Sequence, residues 1–490
     1  MLDALLQGLG QAFRPDVLLA MAAALPAGLL FGVLPGLSGL TALAILIPFV
    51  YGMDGFGGLA FLLTAHAVVY TGGAITAILL GIPGSPPNAA TIIDGVPLRD
   101  RGRAGEALGA ALAASAVGGI LGAVALAVLL PVLQPVILLF GSPETFLLSL
   151  MGLTFIAAVG TGSPIKGLFA GVFGLAISFV GYEPVSGIPR YWFGSTYLLD
   201  GFRLVPLALG LFAIPEILAL MAGRGAGTHK GGLPGRQVWD GIGAVFRRPW
   251  LTLRSSLIGT GIGIIPGVGG ETAPFVAYAA GRQSDRNPER WGTGIVEGVI
   301  APEASNNAKE GGSLVPTLAF GIPGSSGMAL LLGGFLVLGL QPGPEFLKNH
   351  LDIGFGLVFV LAVANLLGAL LMLALAPLLA RVVTLPASLL APGLLCLVVL
   401  GSFSVANDMN DVLATFGFGL VGLFCHRYGY NRAALLLGFV LGPLVERYLE
   451  ISLNLYGLSF LGRPLVLVLI AVTLLAFLGP ALRRRLRARS

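Results

Sequence analysis

Charge is what this sequence has least of. Asp, Glu, Lys and Arg make up 10% of its 490 residues, against about a quarter in a soluble domain, which excludes an ordinary water-soluble fold. There are two cysteines, Cys396 and Cys425, each inside or at the end of an apolar run. They are too few for a disulfide framework and read as small buried hydrophobes. With only four histidines, no metal-ligand cluster is spelled out, and no paired motif of the membrane proteases occurs, so no enzyme is expected. Gly259-Thr260-Gly261-Ile262-Gly263 is glycine-rich but has no βαβ context, which removes the nucleotide-loop reading. The opening MLDALLQGLGQAFRPD places no basic region ahead of its apolar residues, so no cleaved signal peptide is expected. A formal charge of +5 arises mostly from Arg in a few loops; in a membrane protein this reports orientation, and no nucleic-acid partner is expected.

Apolar residues are abundant: 56% of the chain is hydrophobic, with 74 glycines and 32 prolines, and the mean hydropathy is +0.92. These values point to an all-α polytopic membrane protein, in which Gly lets helices approach closely. One stretch is out of place in it. Gly298 to Gly327 puts Glu303, Ser305, Asn306, Asn307, Lys309 and Glu310 in a short polar run, then reaches a Gly-Ile-Pro-Gly-Ser-Ser break. An unpaired polar group in hydrocarbon costs several kcal/mol, so such a stretch is expected to line a solute site inside the membrane.

Four Gly-Pro breaks interrupt the apolar blocks, in two matched pairs. Val33-Leu34-Pro35-Gly36-Leu37-Ser38-Gly39 matches Ile264-Ile265-Pro266-Gly267-Val268-Gly269-Gly270, and Gly81-Ile82-Pro83-Gly84-Ser85 matches Gly321-Ile322-Pro323-Gly324-Ser325. A single break is often a kink; two ordered pairs read as an internal duplication. Arg99, Arg101 and Arg103 follow the second break of the first half, whereas Arg282, Arg286 and Arg290 lie between the breaks of the second. Because Lys and Arg mark cytoplasmic loops, the halves are expected to have inverted topology. The fold expected is therefore two inverted-topology repeats with discontinuous or re-entrant helices, as in secondary transporters, with the solute near the midplane. The divisions are 1–222 as the first half with scaffold helices, 223–249 as a basic cytoplasmic linker, 250–482 as the second half, and 483–490 as a basic cytoplasmic tail. Asp94 is expected to cap or pair with the arginines beside it, and His66 reads as a satisfied interior histidine.

A helix starting in mid-membrane offers free amides and a partial positive charge, suited to a carboxylate. The expected solute contacts are Ser38, Gly39, Gly84, Ser85, Gly269, Gly270, Gly324, Ser325 and Ser326, positioned by helix breaks at Pro35, Gly36, Pro83, Pro266, Gly267 and Pro323. Unwound carbonyls with Ser305, Asn306 and Asn307 are candidate ligands for a hard cation, sodium being the candidate metal at Asn306 and Asn307. Glu303 or Glu271 instead offers a place for a proton. Cation coupling is thus assigned to Glu303, Ser305, Asn306 and Asn307, with sodium or proton left open and no other cofactor expected.

GLLFGVLPGLSGLTA, GGAITAILLGIPGSPPNAATIIDGVPLRDRGRAGEALG, GIIPGVGGETAPF and EGVIAPEASNNAKEGGSLVPTLAFGIPGSSG with LGLQPGPEF together resemble the large membrane subunit of the tripartite tricarboxylate transporters, the TctA family. The resemblance covers the motif-bearing parts of both halves and departs at Thr71 and Gly81. It implies a permease of the bacterial cytoplasmic membrane, driven by an ion gradient, importing an organic di- or tricarboxylate as a symporter. Its implied partners are a small four-helix membrane subunit and a periplasmic solute-binding protein, with the lipid bilayer around it. The alternative is a standalone cation-coupled carboxylate carrier or channel. An elevator-like motion of one part against a scaffold is expected from the architecture.

Overall fold

The computed structural model describes residues 1–34, 37–137, 139–159, 163–184, 186–222, 235–266, 269–382 and 387–487. The first half contains α1 (Leu2–Ala12), α2 (Pro15–Val33), α3 (Gly39–Leu46), α4 (Gly55–Leu80), α5 (Ala89–Asp100), α6 (Ala104–Ile137), α7 (Ser142–Val159), α8 (Pro164–Ser178), α9 (Leu204–Ala208) and α10 (Ile214–Met221). Between α8 and α9, β1 (Gly181–Tyr182) and β2 (Pro189–Arg190) pair antiparallel, Gly181 opposite Arg190. The rest comprises α11 (Gly235–Phe246), α12 (Pro249–Ile264), α13 (Gly269–Gln283), α14 (Glu297–Phe320), α15 (Ser326–Val337), α16 (Pro344–Asn349), α17 (Leu351–Val382), α18 (Ala387–Ser404), α19 (Met409–Tyr428), α20 (Arg432–Tyr456) and α21 (Pro464–Arg487). Among the described residues six helices are long and apolar enough to cross a membrane. A further bent pair, Arg432–Gly462 with Pro464–Leu475, turns by 74°.

Two helices form the centre. From Phe56 to Leu79 every residue of α4 is buried, and so is every residue of α14 from Gly298 to Ala319. A helix covered on all sides shows no amphipathic stripe and must be surrounded by other helices. Here α2 and α17 pack on α4, while α6, α12 and α13 pack on α14. The outer helices turn large apolar side chains outward, among them Val124, Val128 and Val132 of α6 and Leu413, Leu420 and Phe424 of α19, as a lipid-facing surface requires.

The central pair runs antiparallel. Thr71 of α4 meets Asn307 of α14, and five residues earlier on α4, His66 meets Glu310, three residues later on α14. Each central helix receives a two-armed hairpin. Arg14 before α2 lies 3.6 Å from Asp54 at the start of α4, so α2 enters and α3 returns to the same end. Likewise Arg254 of α12 donates to the Ser284 hydroxyl and the Ala280 carbonyl at the far end of α13. α2 and α3 thus form a two-armed helical hairpin whose outer ends lie together.

The same packing device recurs in both halves. Gly28 and Gly32 of α2 lie against the backbone of Ala65 and Val69; Gly259 and Gly263 of α12 lie against that of Ser305 and Lys309. Glycine lets these helices touch backbone to backbone, where a methyl group would overlap a carbonyl. The turns repeat too. Leu34 and Ile265, closing α2 and α12, have φ, ψ of −74°, 113° and −77°, 113°. Gly81 and Gly321, closing α4 and α14, have φ of 69° and 67°, a left-handed turn that glycine adopts without strain. After each, Ile82 and Ile322 send their N–H back to Thr76 and Pro316, both at 3.3 Å.

Within 223–249, residues 223–234 lie outside the described residues; α11 packs Gly241 against Glu106 of α6, and α12 begins at Pro249. Cys425 is buried as expected, whereas Cys396 is exposed, because it faces outward on a lipid-side helix. Residues 488–490 of the basic tail are outside the described residues.

Gly263→Ala and Gly261→Ala separate close packing from helix propensity. The first places a methyl against the Lys309 carbonyl, while nothing lies within 4 Å of the second. In thermal unfolding of purified protein, Gly263→Ala should lose about 1–3 kcal/mol, and Gly261→Ala should be neutral or slightly stabilised.

Candidate solute and cation site

The breaks assemble crosswise. α13 packs on the Pro86–Asn88 turn of the other half, and α3 packs on α15. Within each half the second break folds back onto its hairpin: Gly84 sits against Gly32 and Gly73, and Gly324 against Gly263 and Ser313. A Cβ on Gly270 would stand 3.1 Å from Ser325 Cβ, so the starts of α13 and α15 adjoin.

The serines at matched breaks do different work. Ser38 accepts the Thr41 amide at 3.3 Å and Ser325 accepts the Met328 amide at 3.2 Å, each capping its helix. Ser85 caps nothing and its hydroxyl finds no protein partner, because Pro86 and Pro87 have no N–H to give. Gly39 and Gly269 are the first residues of α3 and α13, and Ser326 is the first of α15. Pro83 and Pro266 are half-buried and Pro323 is buried. Pro35, Gly36 and Gly267 lie outside the described residues.

The polar run lies within a helix that is continuous from Glu297 to Phe320 despite Pro302 and Pro316 inside it. The run acts through side chains. The Glu303 carboxylate accepts from the hydroxyls of Thr91 of α5 and Ser115 of α6, and at 3.4 Å from the amide of Asn88. Asn307 donates to Thr71 at 3.0 Å and to Asn365 of α17 at 2.6 Å. Asn306 and Asn307 therefore face different neighbours, as consecutive positions about 100° apart on a helix must. Asn306, the Ser305 and Ser313 hydroxyls, and the amide oxygens of Asn88 and Asn307 find no protein partner, although all these residues are nearly fully buried.

Beside this stripe is a fully buried charge cluster. Lys309 pairs with one oxygen of Glu310 and stands 3.8 Å from the centroid of the Tyr70 ring. The other oxygen of Glu310 lies 3.0 Å from His66 Nε2, without the alignment of a hydrogen bond. The His66 ring in turn packs on Gly327 at the start of α15. A buried cation is tolerated where a carboxylate and an aromatic face replace its water.

Asp94 does not pair with the adjacent arginines. Its carboxylate accepts from the amides of Gly292, Gly294 and Ile295 at 2.7–3.0 Å and from Tyr278 Oη at 2.8 Å. It clamps α5 to the loop ahead of α14, because four fixed donors outmatch one flexible guanidinium. Sequence reasoning also missed Glu216, which meets the start of α3, Arg432, which faces Glu216, and Asn365. Glu216 is the one ionisable residue in Leu204–Met221, which is itself a signal of function in a membrane helix.

Among the described residues no three His, Cys, Asp or Glu side chains group to hold a metal ion; the unpartnered oxygens along α14 are amides and hydroxyls, with the Glu303 carboxylate near them. A cavity of about 360 Å³ lined by Tyr182, Asp200, Phe202, Leu336 and Pro443 touches none of the break residues.

Residues 18–437 match the model of the tripartite tricarboxylate transporter TctA family. The chain is similar to an uncharacterized 52.8 kDa protein in the TAR-I ttuC' 3' region of Agrobacterium vitis, 32% identical over 453 residues, covering 91% of this chain and 89% of that protein. It is also similar to an uncharacterized protein in the TAR-II ttuC' 3' region of the same organism, 34% identical over 226 residues, covering 44% of this chain and 93% of the other. No solved structure matches.

The charge cluster has an energetic signature. Lys309→Met leaves Glu310 buried without its cation and should cost about 3–5 kcal/mol. Lys309→Met with Glu310→Gln should recover much of that loss in a thermal-unfolding double-mutant cycle.

Proposed function

The chain belongs to the tripartite tricarboxylate transporter TctA family, a transport family of multi-pass membrane proteins, and from that premise we propose that it is the large permease subunit of a tripartite, ion-gradient-driven importer. Its cargo is an organic di- or tricarboxylate handed over by a periplasmic solute-binding protein, and a small four-helix membrane subunit completes the assembly. The chain sits in the bacterial inner membrane with its basic loops and C-terminus in the cytoplasm.

The observation that carries this reading is the opposed course of α4 and α14, each with its own hairpin and each closed by a left-handed glycine. Two inverted repeats, 1–222 and 250–482, account for that opposition, and their breaks bracket a midplane site for the carboxylate. The first residues of α3, α13 and α15, with Ser85 and Gly84, supply hydrogen-bond donors to the solute. Glu303, Ser305, Asn306 and Asn307 hold the coupling cation, sodium or a proton, along the stretch of α14 where unpartnered side-chain oxygens are found. Hard oxygen donors suit sodium; the Glu303 carboxylate suits either. Transport moves the hairpins and central helices against α17–α21, as an elevator does against a scaffold.

Reconstituted uptake tests the reading. Carboxylate uptake should require both partner subunits and an ion gradient. Asn306→Ala and Asn307→Ala should raise the sodium concentration for half-maximal uptake by about tenfold, roughly one lost ligand's 1.4 kcal/mol, with insertion unchanged. Uptake by this chain alone would make it a standalone carrier, and sodium dependence untouched in both variants would remove the cation from α14.

A further inference from the structure

Glu216 occupies the place where a solute carboxylate would be expected to bind. Its Oε2 accepts the Ser38 amide at 2.8 Å and also the Thr41 hydroxyl, on the first turn of α3. Its Oε1 faces the Arg432 guanidinium at 3.9 Å. The guanidinium is itself held: Nη1 donates to the Leu211 carbonyl at 3.1 Å, and the group lies 5.4 Å from the centroid of the Phe212 ring. Leu211 and Phe212 belong to a π-helical segment, Leu209–Ala213, between α9 and α10. Such a widened turn costs helix regularity and recurs at functional sites. Here it presents a carbonyl to Arg432 and aims Glu216, the third residue of α10, at the start of α3.

We propose that the Ser38 amide, the Thr41 hydroxyl and Arg432 form a carboxylate receptor, and that Glu216 is its internal occupant, displaced when a solute carboxylate arrives. This rests on the transporter reading only for the identity of the incoming acid. The chemistry is an exchange of like for like. Every hydrogen bond Glu216 gives up, the solute carboxylate makes, so the hairpin tip is never left unpaired in an apolar setting. A near-even exchange lets cargo bind without being trapped. It also ties occupancy to movement, because the Glu216 contact joins the hairpin to α10 and α20 and is undone only when another carboxylate replaces it. A displaced Glu216 keeps its charge and must find water on leaving, which is the one cost the exchange does not return.

The test is independent of the cognate solute. In the full chain reconstituted in liposomes, with Cys396→Ser and Cys425→Ser, a reporter Leu40→Cys on α3 is modified with N-ethylmaleimide. Removing the occupant by Glu216→Ala should speed modification about tenfold, and Glu216→Gln, which keeps an acceptor for the Ser38 amide, should speed it less. Millimolar acetate should then restore protection in Glu216→Ala, chloride should not, and acetate should fail when Arg432→Gln is added. A purely structural Glu216 would give faster modification that acetate does not reverse, and that result, or parent rates in both Glu216 variants, overturns the proposal. Acetate protection without carboxylate uptake by the assembled three subunits would keep the receptor and overturn the transporter reading; uptake without acetate protection would do the reverse.

Discussion

Hydrocarbon offers no hydrogen-bond partner, and the arrangement of this chain follows from that. Four interruptions release backbone groups that lipid cannot satisfy, so the protein must answer each one. At Gly81 and Gly321 the chain answers with a left-handed glycine and an amide sent back to the preceding turn. Ser38 and Ser325 answer with their own side chains, and Glu216 adds a carboxylate from a different helix. Each half folds its second break onto its own hairpin, with Gly84 against Gly32 and Gly324 against Gly263.

The same constraint accounts for the company α14 keeps. A helix with Glu303, Asn306, Asn307, Lys309 and Glu310 can persist at membrane depth only if its whole circumference is covered, and it is. Its charges are neutralised in place, Lys309 by Glu310 and the face of Tyr70, while Glu303 is held by hydroxyl and amide donors from α5, α6 and the intervening turn. What is left unpaired is mostly oxygen: the hydroxyls of Ser305 and Ser313 and the amide oxygens of Asn88, Asn306 and Asn307. Paired charges hold the helix in position, and the unpaired oxygens are what it offers to a ligand.

Much of this was legible in the sequence because Gly and Pro act locally. Pro83-Gly84 and Pro323-Gly324 announce a turn to any reader, and the scarcity of charge sets the solvent. The motifs that resemble the TctA family lie at those same turns. What could not be read depends on pairs far apart in the chain. Nothing near Ser38 announces Glu216, nothing near Asp94 announces the amides of Gly292, Gly294 and Ile295, and Asn365 is one amide in an apolar helix. Two local signals were also ambiguous. The polar run around Asn306 marks a buried polar environment without telling which neighbours cover it, and α14 carries it as an unbroken helix. The block around Leu34 is long enough for one kinked span, and only the Arg14 to Asp54 contact distinguishes a hairpin.

The central claim is that the two hairpins enter the bilayer from opposite faces. Single cysteines at two exposed positions, Met53→Cys beside the first hairpin and Arg286→Cys beside the second, placed in a background free of Cys396 and Cys425, test it with an impermeant maleimide. Met53→Cys should be labelled on intact cells and Arg286→Cys only in inside-out vesicles. Labelling of both from one face would contradict the account.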